Sequence, residues 1–229
     1  MYKSKYVAAI IVAAGKGTRM GSEIPKQYMN IGGKSILDTT LYKFEKSNEV
    51  DEIILIVNKE DIDYVIEKMS PNYNKLTIVK QGGSTRTRSV LEGIKALSNH
   101  TDIVLIHDGV RPFVSFSLIN SVVKGAYDHK ACIPVTDVID TIKEVQDKTV
   151  TNTLDRTKLK AVQTPQGFDY ELIRDCYIKA MTENAEFTDD ASIVEFYGYN
   201  VKTVEGLNRN LKITTQLDLK IAEILASVF

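Results

Sequence analysis

The sequence predicts an α/β protein built on a doubly wound, mostly parallel sheet, and three observations favour this fold class. Several short segments rich in valine and isoleucine are apolar at every position, as expected of strands that helices cover on both faces. Segments with apolar residues at helical spacing lie between them, and this alternation favours right-handed crossovers in a parallel sheet. The length of 229 residues fits one domain, residues 1–229.

The individual elements follow from these patterns in chain order. The continuously apolar strands are predicted at residues 7–12, 53–57, 103–106 and 131–135. Helical spacing predicts helices around residues 37–44, 62–69, 90–97 and 118–126, and then at residues 170–181 and from about residue 188. Short strands are predicted at residues 202–204 and 211–214, followed by a last helix whose capping box is formed by Thr215 and Asp218.

Residues 137–156 are interpreted as a projecting arm. The letters TIKEV alternate as in a half-buried strand, QDK is typical of a turn, and TVTNTL favours a second strand. A polar ribbon of two strands is only marginally stable by itself in water. We therefore expect the arm to contact a second subunit in a homodimer.

The bulk composition excludes several classes of partner. A net charge of −1 favours neither nucleic acid nor an anionic membrane as a partner. Cys132 and Cys176 lack the spacing of metal ligands and are interpreted as reduced, largely buried thiols. The first apolar segment, from Tyr6 to Ala14, is too short to span a membrane and ends in a glycine loop. We therefore expect a cytoplasmic protein.

The loop AAGKGTRMGSEIPKQY after the first strand is the main candidate for a phosphate site. Gly15, Gly17 and Gly21 allow the backbone to approach a ligand closely, and Arg19 and Lys26 add positive charge. The loop lacks the GK[ST] ending of a P-loop. Its glycine spacing also differs from the GxGxxG of dinucleotide-binding folds, which argues against an NAD-dependent oxidoreductase.

The segments AAGKGTRMG and PKQY resemble nucleotidyltransferases, and most narrowly the 2-C-methyl-D-erythritol 4-phosphate cytidylyltransferase family of non-mevalonate isoprenoid biosynthesis. Matching segments continue to about residue 223: GGSTRTRSVLEG, HDGVRPF, DVIDTIKEV, LDRTKLKAVQTPQGF, FTDDAS and VEGLNRNLKITT. The resemblance implies a Rossmann-like nucleotidyltransferase fold. It also implies transfer of CMP from CTP to a sugar-alcohol phosphate with Mg²⁺, by a homodimer whose arm reaches the other subunit's site.

The resemblance further implies which residues form the site. The catalytic residues would be Arg19 and Lys26, which stabilise charge that develops at the α-phosphorus. The CTP-binding residues would be Ala13, Ala14, Gly15, Gly17, Arg19, Lys26, Gly82, Gly83, Ser89 and Gly109. The acceptor-binding residues would be Asp108, Thr141, Arg156, Thr164 and Lys212, and Asp108 would also hold Mg²⁺. The attacking phosphate is largely ionised near neutral pH, so such a site needs no general base.

Five further residues near these motifs are interpreted as structural. His107 is expected to hold the fold by hydrogen bonds rather than act as a base. Arg111 is expected to form a salt bridge inside the domain, although a phosphate contact stays open. The sequence TDD at residues 188–190 is expected to cap a helix with Thr188 and to place the acidic Asp189 and Asp190 in its first turn.

Three alternative functions remain open at this point. Ribitol-5-phosphate cytidylyltransferases share the glycine loop, PKQ and TPQ, and the valine in HDGVRPF is common among them. The segments DTIKEV and LDRTKLKAVQTPQ favour the methylerythritol family instead. The two others are the NAD-dependent oxidoreductase and a nucleotide-binding regulator without catalysis. The regulator is disfavoured, because a relative without catalysis would have lost at least one of the charged site residues, and all four are present: Arg19, Lys26, Asp108 and Lys212.

Overall fold

A computed structural model of the chain describes residues 1–15, 24–183 and 187–228. Its strands are β1 (Val7–Val12), β2 (Asn30–Ile31), β3 (Lys34–Ser35), β4 (Glu52–Val57), β5 (Leu76–Gln81), β6 (Ile103–Asp108), β7 (Ala131–Asp137), β8 (Lys143–Gln146), β9 (Thr149–Thr153), β10 (Lys160–Val162), β11 (Gln166–Asp169) and β12 (Lys202–Glu205). Its helices are α1 (Ile36–Glu45), α2 (Ile62–Tyr64), α3 (Arg86–Ala96), α4 (Phe116–His129), α5 (Tyr170–Ala180), α6 (Asp190–Phe196) and α7 (Gln216–Val228). Each of these helices is too short or too polar to cross a lipid bilayer.

The central sheet confirms the predicted fold class. Its strands lie in the order β10-β7-β11-β6-β1-β4-β5, and β12 pairs with β7. Strands β5, β4, β1 and β6 run parallel to one another, whereas β11 and β10 are antiparallel to their neighbours. The sheet is therefore doubly wound and mostly parallel, with antiparallel strands inserted on the β7 side.

Helices cover both faces of the sheet, which explains why its strands are apolar throughout. Along β1, Val7, Ala9 and Ile11 pack on the face covered by α1 and α4. The alternate residues Ala8 and Ile10 pack on the opposite face, against α3, α5 and α6. All five side chains are fully buried, as expected when successive side chains of a strand point to opposite, covered faces.

The predicted arm is present as a two-stranded ribbon. Strands β8 and β9 pair with each other in an antiparallel sheet of their own, and all their residues are exposed. Asp147 and Lys148 connect them with positive φ angles of 48° and 64°. Two such residues in succession are the mark of a type I′ hairpin turn, whose twist matches that of the strands.

The structure corrects two predicted elements. Residues 62–69 do not form one regular helix: after a 3₁₀ turn at Lys59–Asp61, the single turn α2 passes into a π-helical turn at Val65–Met69 and a 3₁₀ turn at Ser70–Asn72. Residues 211–214 are not a strand. Ile213 donates one backbone hydrogen bond to Val110 (3.0 Å) and is buried against a small apolar cluster with α7, so burial rather than strand pairing explains the apolar pattern there.

Candidate active site

The largest group of predicted site residues lies where β1, β4, β5 and β6 end. Along the sheet, β4 and β5 lie on one side of β1 and β6 lies on the other, so the chain order reverses next to β1. Ligands of open α/β sheets bind at such a switch point, beyond the carboxyl ends of the strands. A cleft of about 580 Å³ opens there. Such a volume is in the range of small-ligand sites.

Most of the residues assigned to CTP by resemblance line or support this nucleotide cleft. Its lining includes Ala13, Ala14, Gly15, Lys26, Gly83 and Ser89, together with Asp108 and Lys212. The backbone N–H groups of Ala14 and Gly15 make no hydrogen bond to another described residue. Because both residues line the cleft, phosphate or base oxygens bound there can accept from these N–H groups. The predicted residues Gly17 and Arg19 lie outside the described residues.

The loop after β5 is held in place by Ser89. Its Oγ accepts a hydrogen bond from the N–H of Gly83 (3.1 Å) and donates to the carbonyl oxygen of Thr85 (2.9 Å). A side chain at Gly82 would come within 2.6 Å of the Ala14 Cβ and 2.8 Å of the Ser89 Oγ. The structure thus places Gly82 and Ser89 as supports of the cleft wall.

Gly109 also acts through close packing. Its N–H donates to the carbonyl oxygen of Val12 (2.9 Å), and its own carbonyl accepts from the Thr40 hydroxyl (3.0 Å). A Cβ at this position would lie 3.0 Å from the Ala13 Cβ. Gly109 therefore fixes the spacing between the end of β1 and the segment after β6, and does not itself line the cleft.

Lys26 connects the glycine loop to a distant part of the chain. It begins a short 3₁₀ turn at Lys26–Tyr28, after Pro25, and its Nζ donates to the carbonyl oxygen of Ile213 (3.2 Å). Because Ile213 follows Lys212, two ammonium groups from segments far apart in sequence line the same cleft. This arrangement suits a ligand with several negative charges.

The floor of the cleft is a buried carboxylate surrounded by three cations. Asp108 is 7% exposed, and its oxygens lie 2.9 Å from Lys212 Nζ, 3.3 Å from Arg86 Nε and 3.5 Å from Arg111 Nε. Burial alone would raise the pKa of the Asp108 carboxyl, but the surrounding cations together hold that pKa well below its ordinary value. The group is therefore a carboxylate at neutral pH, and the cluster keeps a surplus of positive charge.

His107 and Thr164 fix the backbone behind Asp108. His107 is fully buried, with Nε2 3.2 Å from the carbonyl oxygen of Arg111 and Nδ1 3.0 Å from the Thr164 Oγ1. A carbonyl only accepts, so Nε2 carries the proton, and the Thr164 hydroxyl donates to Nδ1 while accepting from the Asp108 N–H (3.1 Å). Burial lowers the pKa of His107 to about 3. The imidazole is thus neutral and structural, as expected.

A second, smaller cleft of about 300 Å³ adjoins the same cluster. Its lining includes Arg111, Thr164 and Gln163, and it shares Arg86, Asp108 and Lys212 with the nucleotide cleft. Arg111 is held by Asp108 and by the carbonyl oxygen of Asn210 (2.8 Å), which agrees with a role inside the domain. We call this the second cleft; the two clefts meet at the Asp108 cluster.

The remaining predicted acceptor residues lie at the base of the arm and line neither cleft of the same chain. Thr141 and Arg156 are exposed, and the Arg156 Nη1 donates to the carbonyl oxygen of Ile139. Neither residue is part of the lining of the nucleotide cleft or of the second cleft. Their assignment to an acceptor site stays a prediction that requires a second subunit.

The described residues do not form a binding site for a resident magnesium ion. Asp108 is the carboxylate that lines the nucleotide cleft, and each of its oxygens already faces a cationic nitrogen. The described parts of the chain hold no cluster of three or more acidic, histidine or cysteine side chains with the geometry of a metal site. Hard cations need several oxygen ligands. Most of those ligands would therefore have to come from the substrates.

Sequence patterns missed Arg86 and its pairing with Asp190. Arg86 is the first residue of α3, where a positive charge is unfavourable because it opposes the helix dipole. An arginine at such a position is a signal in the sequence that its side chain binds a group outside the helix. The cap of α6 is Asp189, not Thr188, through a capping box with Ser192. Asp190 lies in the first turn of α6, as predicted, but it is fully buried and bound to Arg86, which the sequence did not indicate.

Gln27 is a further cleft residue that the sequence did not single out. It is 1% exposed, lines the nucleotide cleft, and its Nε2 has no hydrogen-bond partner among the described residues.

Comparisons with known proteins agree with this geometry. The family model for 2-C-methyl-D-erythritol 4-phosphate cytidylyltransferase matches residues 7–227. A protein of that name from Clostridium novyi is 45% identical over 220 residues, covering 94% of each chain. One from Bacteroides thetaiotaomicron is 43% identical over 219 residues, covering 95% of this chain and 98% of the relative.

A solved structure supports the same relationship at the level of the fold. The 4-diphosphocytidyl-2C-methyl-D-erythritol synthase of Anaerococcus prevotii has a TM-score of 0.88 and 37% identity, covering 98% of this chain and 97% of that one. Sequence and structure match over nearly the whole length of both proteins. The chain therefore belongs to the 2-C-methyl-D-erythritol 4-phosphate cytidylyltransferase family.

Proposed function

We propose that this enzyme transfers CMP from CTP to 2-C-methyl-D-erythritol 4-phosphate, a step of non-mevalonate isoprenoid biosynthesis. The products are 4-diphosphocytidyl-2-C-methyl-D-erythritol and pyrophosphate. Membership of the family supports both the reaction class and the acceptor. The observation that carries the proposal is the meeting of two clefts at one cationic cluster, since a transfer between two anionic substrates needs both reactants beside shared positive charge.

The reaction is an in-line displacement. An oxygen of the acceptor phosphate forms a bond to the α-phosphorus of CTP while the bond from that phosphorus to the bridging oxygen breaks. Pyrophosphate leaves with the electron pair. The attacking phosphate is already ionised near neutral pH, so no side chain must remove a proton. This agrees with a neutral, buried His107 whose ring nitrogens face Thr164 and the backbone carbonyl of Arg111.

The positive groups of the cleft supply what the transition state requires. Lys26 lies on the nucleotide side and Lys212 lies at the junction with the second cleft. Charge from these residues and from Arg19 would neutralise the five-coordinate phosphorus and the leaving pyrophosphate. The N–H groups of Ala14 and Gly15 would bind the triphosphate or the cytosine edge.

Magnesium enters this proposal as part of the substrate. Mg²⁺ keeps several waters and is usually bound by one or two carboxylates together with substrate phosphates. A Mg²⁺–CTP chelate brings its own phosphate ligands to the cleft. That route fits a chain in which Asp108 is engaged by three cations.

The homodimer is a second part of the proposal, supported by the exposed arm. Thr141 and Arg156 line neither cleft of their own chain, so a second copy's cleft is where they would act. Mixing Lys26→Ala subunits with Arg156→Ala subunits tests this directly. In a shared-site dimer, the mixed species contains one site with an intact cleft and an intact arm, so mixing restores activity. If the arm serves its own chain, the mixture stays as inactive as its components.

The activity is tested by measuring pyrophosphate release from Mg²⁺–CTP with 2-C-methyl-D-erythritol 4-phosphate or with ribitol 5-phosphate. We expect the methylerythritol phosphate to be the better acceptor by its kcat/KM. Preference for ribitol 5-phosphate would contradict the proposed acceptor while keeping the cytidylyltransferase activity.

We also place the reaction in the cytoplasm, in keeping with the free, buried Cys132 and Cys176.

A further inference from the structure

A buried carboxylate outside both clefts is connected to the cleft floor. Asp190 has no exposed surface, and its two oxygens accept hydrogen bonds from Arg86 Nη1 (2.9 Å) and Nη2 (2.8 Å). The hydroxyl of the fully buried Tyr177 donates to the same carboxylate. A buried charge is tolerated only when it is paired and hydrogen-bonded, and Asp190 meets both conditions.

Arg86 links Asp190 to the floor of the nucleotide cleft. Besides its two bonds to Asp190, Arg86 donates from Nε to Asp108 Oδ1 (3.3 Å). A guanidinium that is bound through Nε and through both Nη atoms has a fixed plane, whereas a lysine ammonium can rotate. Three of its five N–H groups are used in this way. The other two belong to a side chain that is 30% exposed and lines both clefts.

The charges around Arg86 show why Asp190 matters to the site and not only to the core. Arg86, Arg111 and Lys212 all converge on the single carboxylate of Asp108. Asp190 supplies the second negative charge, on the protein side of Arg86. Without it, Arg86 would have Asp108 alone as its counter-charge and would compete with Lys212 for that carboxylate. The position of Lys212 would then change with that of Arg86.

We propose that Asp190 is a positioning residue for the reaction, acting through Arg86 on the Asp108–Lys212 pair where the two clefts meet. Tyr177 orients the Asp190 carboxylate, and Asp190 fixes the plane of the Arg86 guanidinium. Arg86, held in this plane, stays at the junction of the two clefts, where an N–H group that neither carboxylate uses can donate to the acceptor phosphate. This inference rests on the proposed cytidylyl transfer, and it assigns to α5 and α6 a part in that transfer.

The main test is Asp190→Asn in the full-length enzyme. We expect kcat/KM for the acceptor to fall about 10- to 100-fold, the range for a misplaced reacting group, because the amide cannot hold the guanidinium fork. CTP binding, measured alone by calorimetry, should stay close to wild type because the wall formed by Ala14 and Gly15 is unchanged. Asp190→Glu, which restores the charge, should recover part of the loss.

Two further variants separate positioning from a loss of folding. Tyr177→Phe removes one hydrogen bond from Asp190 and should lower kcat/KM for the acceptor about two- to tenfold. If Asp190 acts through Arg86, adding Asp190→Asn to Arg86→Gln should cause no further loss of activity. Additive losses in the double variant would overturn the proposal.

A matched control is Glu52→Gln, another buried carboxylate changed to an amide. Glu52 is 6% exposed and starts β4, at the edge of the sheet opposite the clefts, where it accepts from the Thr77 hydroxyl (2.6 Å). The melting temperature of the Glu52→Gln variant should shift, while its kcat/KM for the acceptor stays at the wild-type value.

The outcomes distinguish this inference from the proposed function. An inactive wild-type enzyme would contradict the cytidylyl transfer itself. An active wild type with an Asp190→Asn variant that changes only in melting temperature, like Glu52→Gln, would show that Asp190 is structural. A fall in CTP affinity as large as the fall in acceptor kcat/KM would also overturn the assignment, because Arg86 would then serve the nucleotide.

Discussion

The cleft floor and the arm place charged side chains in opposite ways. At the floor, Asp108 is 7% exposed and is held by cations from three segments of the chain. In the arm, every residue of β8 and β9 is exposed and the ribbon pairs only within itself. The floor is therefore organised by contacts within the chain, whereas the ribbon leaves the side chains of both its strands exposed. Substitutions should consequently affect folding and chemistry together at the floor, and chemistry without folding in the arm.

The strongest test of this contrast is Asp108→Ala. Removing the carboxylate leaves Arg86, Arg111 and Lys212 close together with Asp190, bound to Arg86, as the remaining counter-charge described above. Breaking a buried pair in this way costs about 3–5 kcal/mol of stability. We also expect no measurable transfer activity. Urea denaturation and the pyrophosphate assay measure the two effects. The control is Asp137→Ala, an exposed carboxylate at the end of β7, which should change stability by less than about 1 kcal/mol.

Lys26→Ala should separate chemistry from folding within the cleft itself. Lys26 is only partly buried, so its loss should cost little stability. Loss of one charge that stabilises the transition state typically lowers kcat about 100- to 1000-fold. Single-turnover kinetics with saturating CTP check this, and Lys26→Arg should retain part of the rate. A variant that loses CTP affinity but keeps kcat would assign Lys26 to ground-state binding instead.

Deleting the arm should affect only the use of the acceptor. Replacing residues 143–153 with a short glycine–serine linker removes strands whose side chains are all exposed, so the free energy of unfolding should change by less than about 1 kcal/mol. We expect the KM for the acceptor to rise about tenfold or more and sedimentation to show a monomer, since a shared-site contact would be lost. A dimer with wild-type kinetics would show that the arm does not contribute to the site.

The pH dependence of stability gives the smallest expected effect. Burial lowers the pKa of His107 to about 3, below its ordinary value of about 6.5. Below about pH 6.5 the unfolded chain therefore binds a proton that the folded chain does not, and stability falls as the pH falls. His107→Gln should reduce the loss between pH 7 and pH 5 by about 2 kcal/mol. The exposed His129, changed to Gln, serves as the control and should keep the wild-type slope.

The lowered pKa of Asp108 also makes stability fall as the pH falls, but at lower pH than for His107. Its stabilising contribution is complete above about pH 4, the pKa of an unfolded aspartate, and is lost as the pH falls further. The His107→Gln variant should therefore still lose stability below pH 4.

Much of the fold could be predicted because it depends on local patterns. The continuously apolar strands at residues 7–12 and 103–106 correspond to β1 and β6, and the QDK turn lies between β8 and β9. Strands β10 and β11 were not predicted, because short antiparallel strands of mixed polarity resemble loops in sequence. The expected strand at residues 211–214 was wrong for the opposite reason, since apolar residues there are buried without strand partners.

The sequence by itself determined the class of the fold, the glycine loop at the end of β1, the arm and the family, since all of these depend on residue order and spacing. Only the tertiary structure decided that Arg86, Asp108, Asp190 and Lys212 meet. Arg86 and Asp190 are 104 positions apart. An ion pair between such distant segments leaves no periodic pattern in either of them. Their pairing depends on helices α3, α5 and α6 packing on the same face of the sheet, which brings both side chains to one edge.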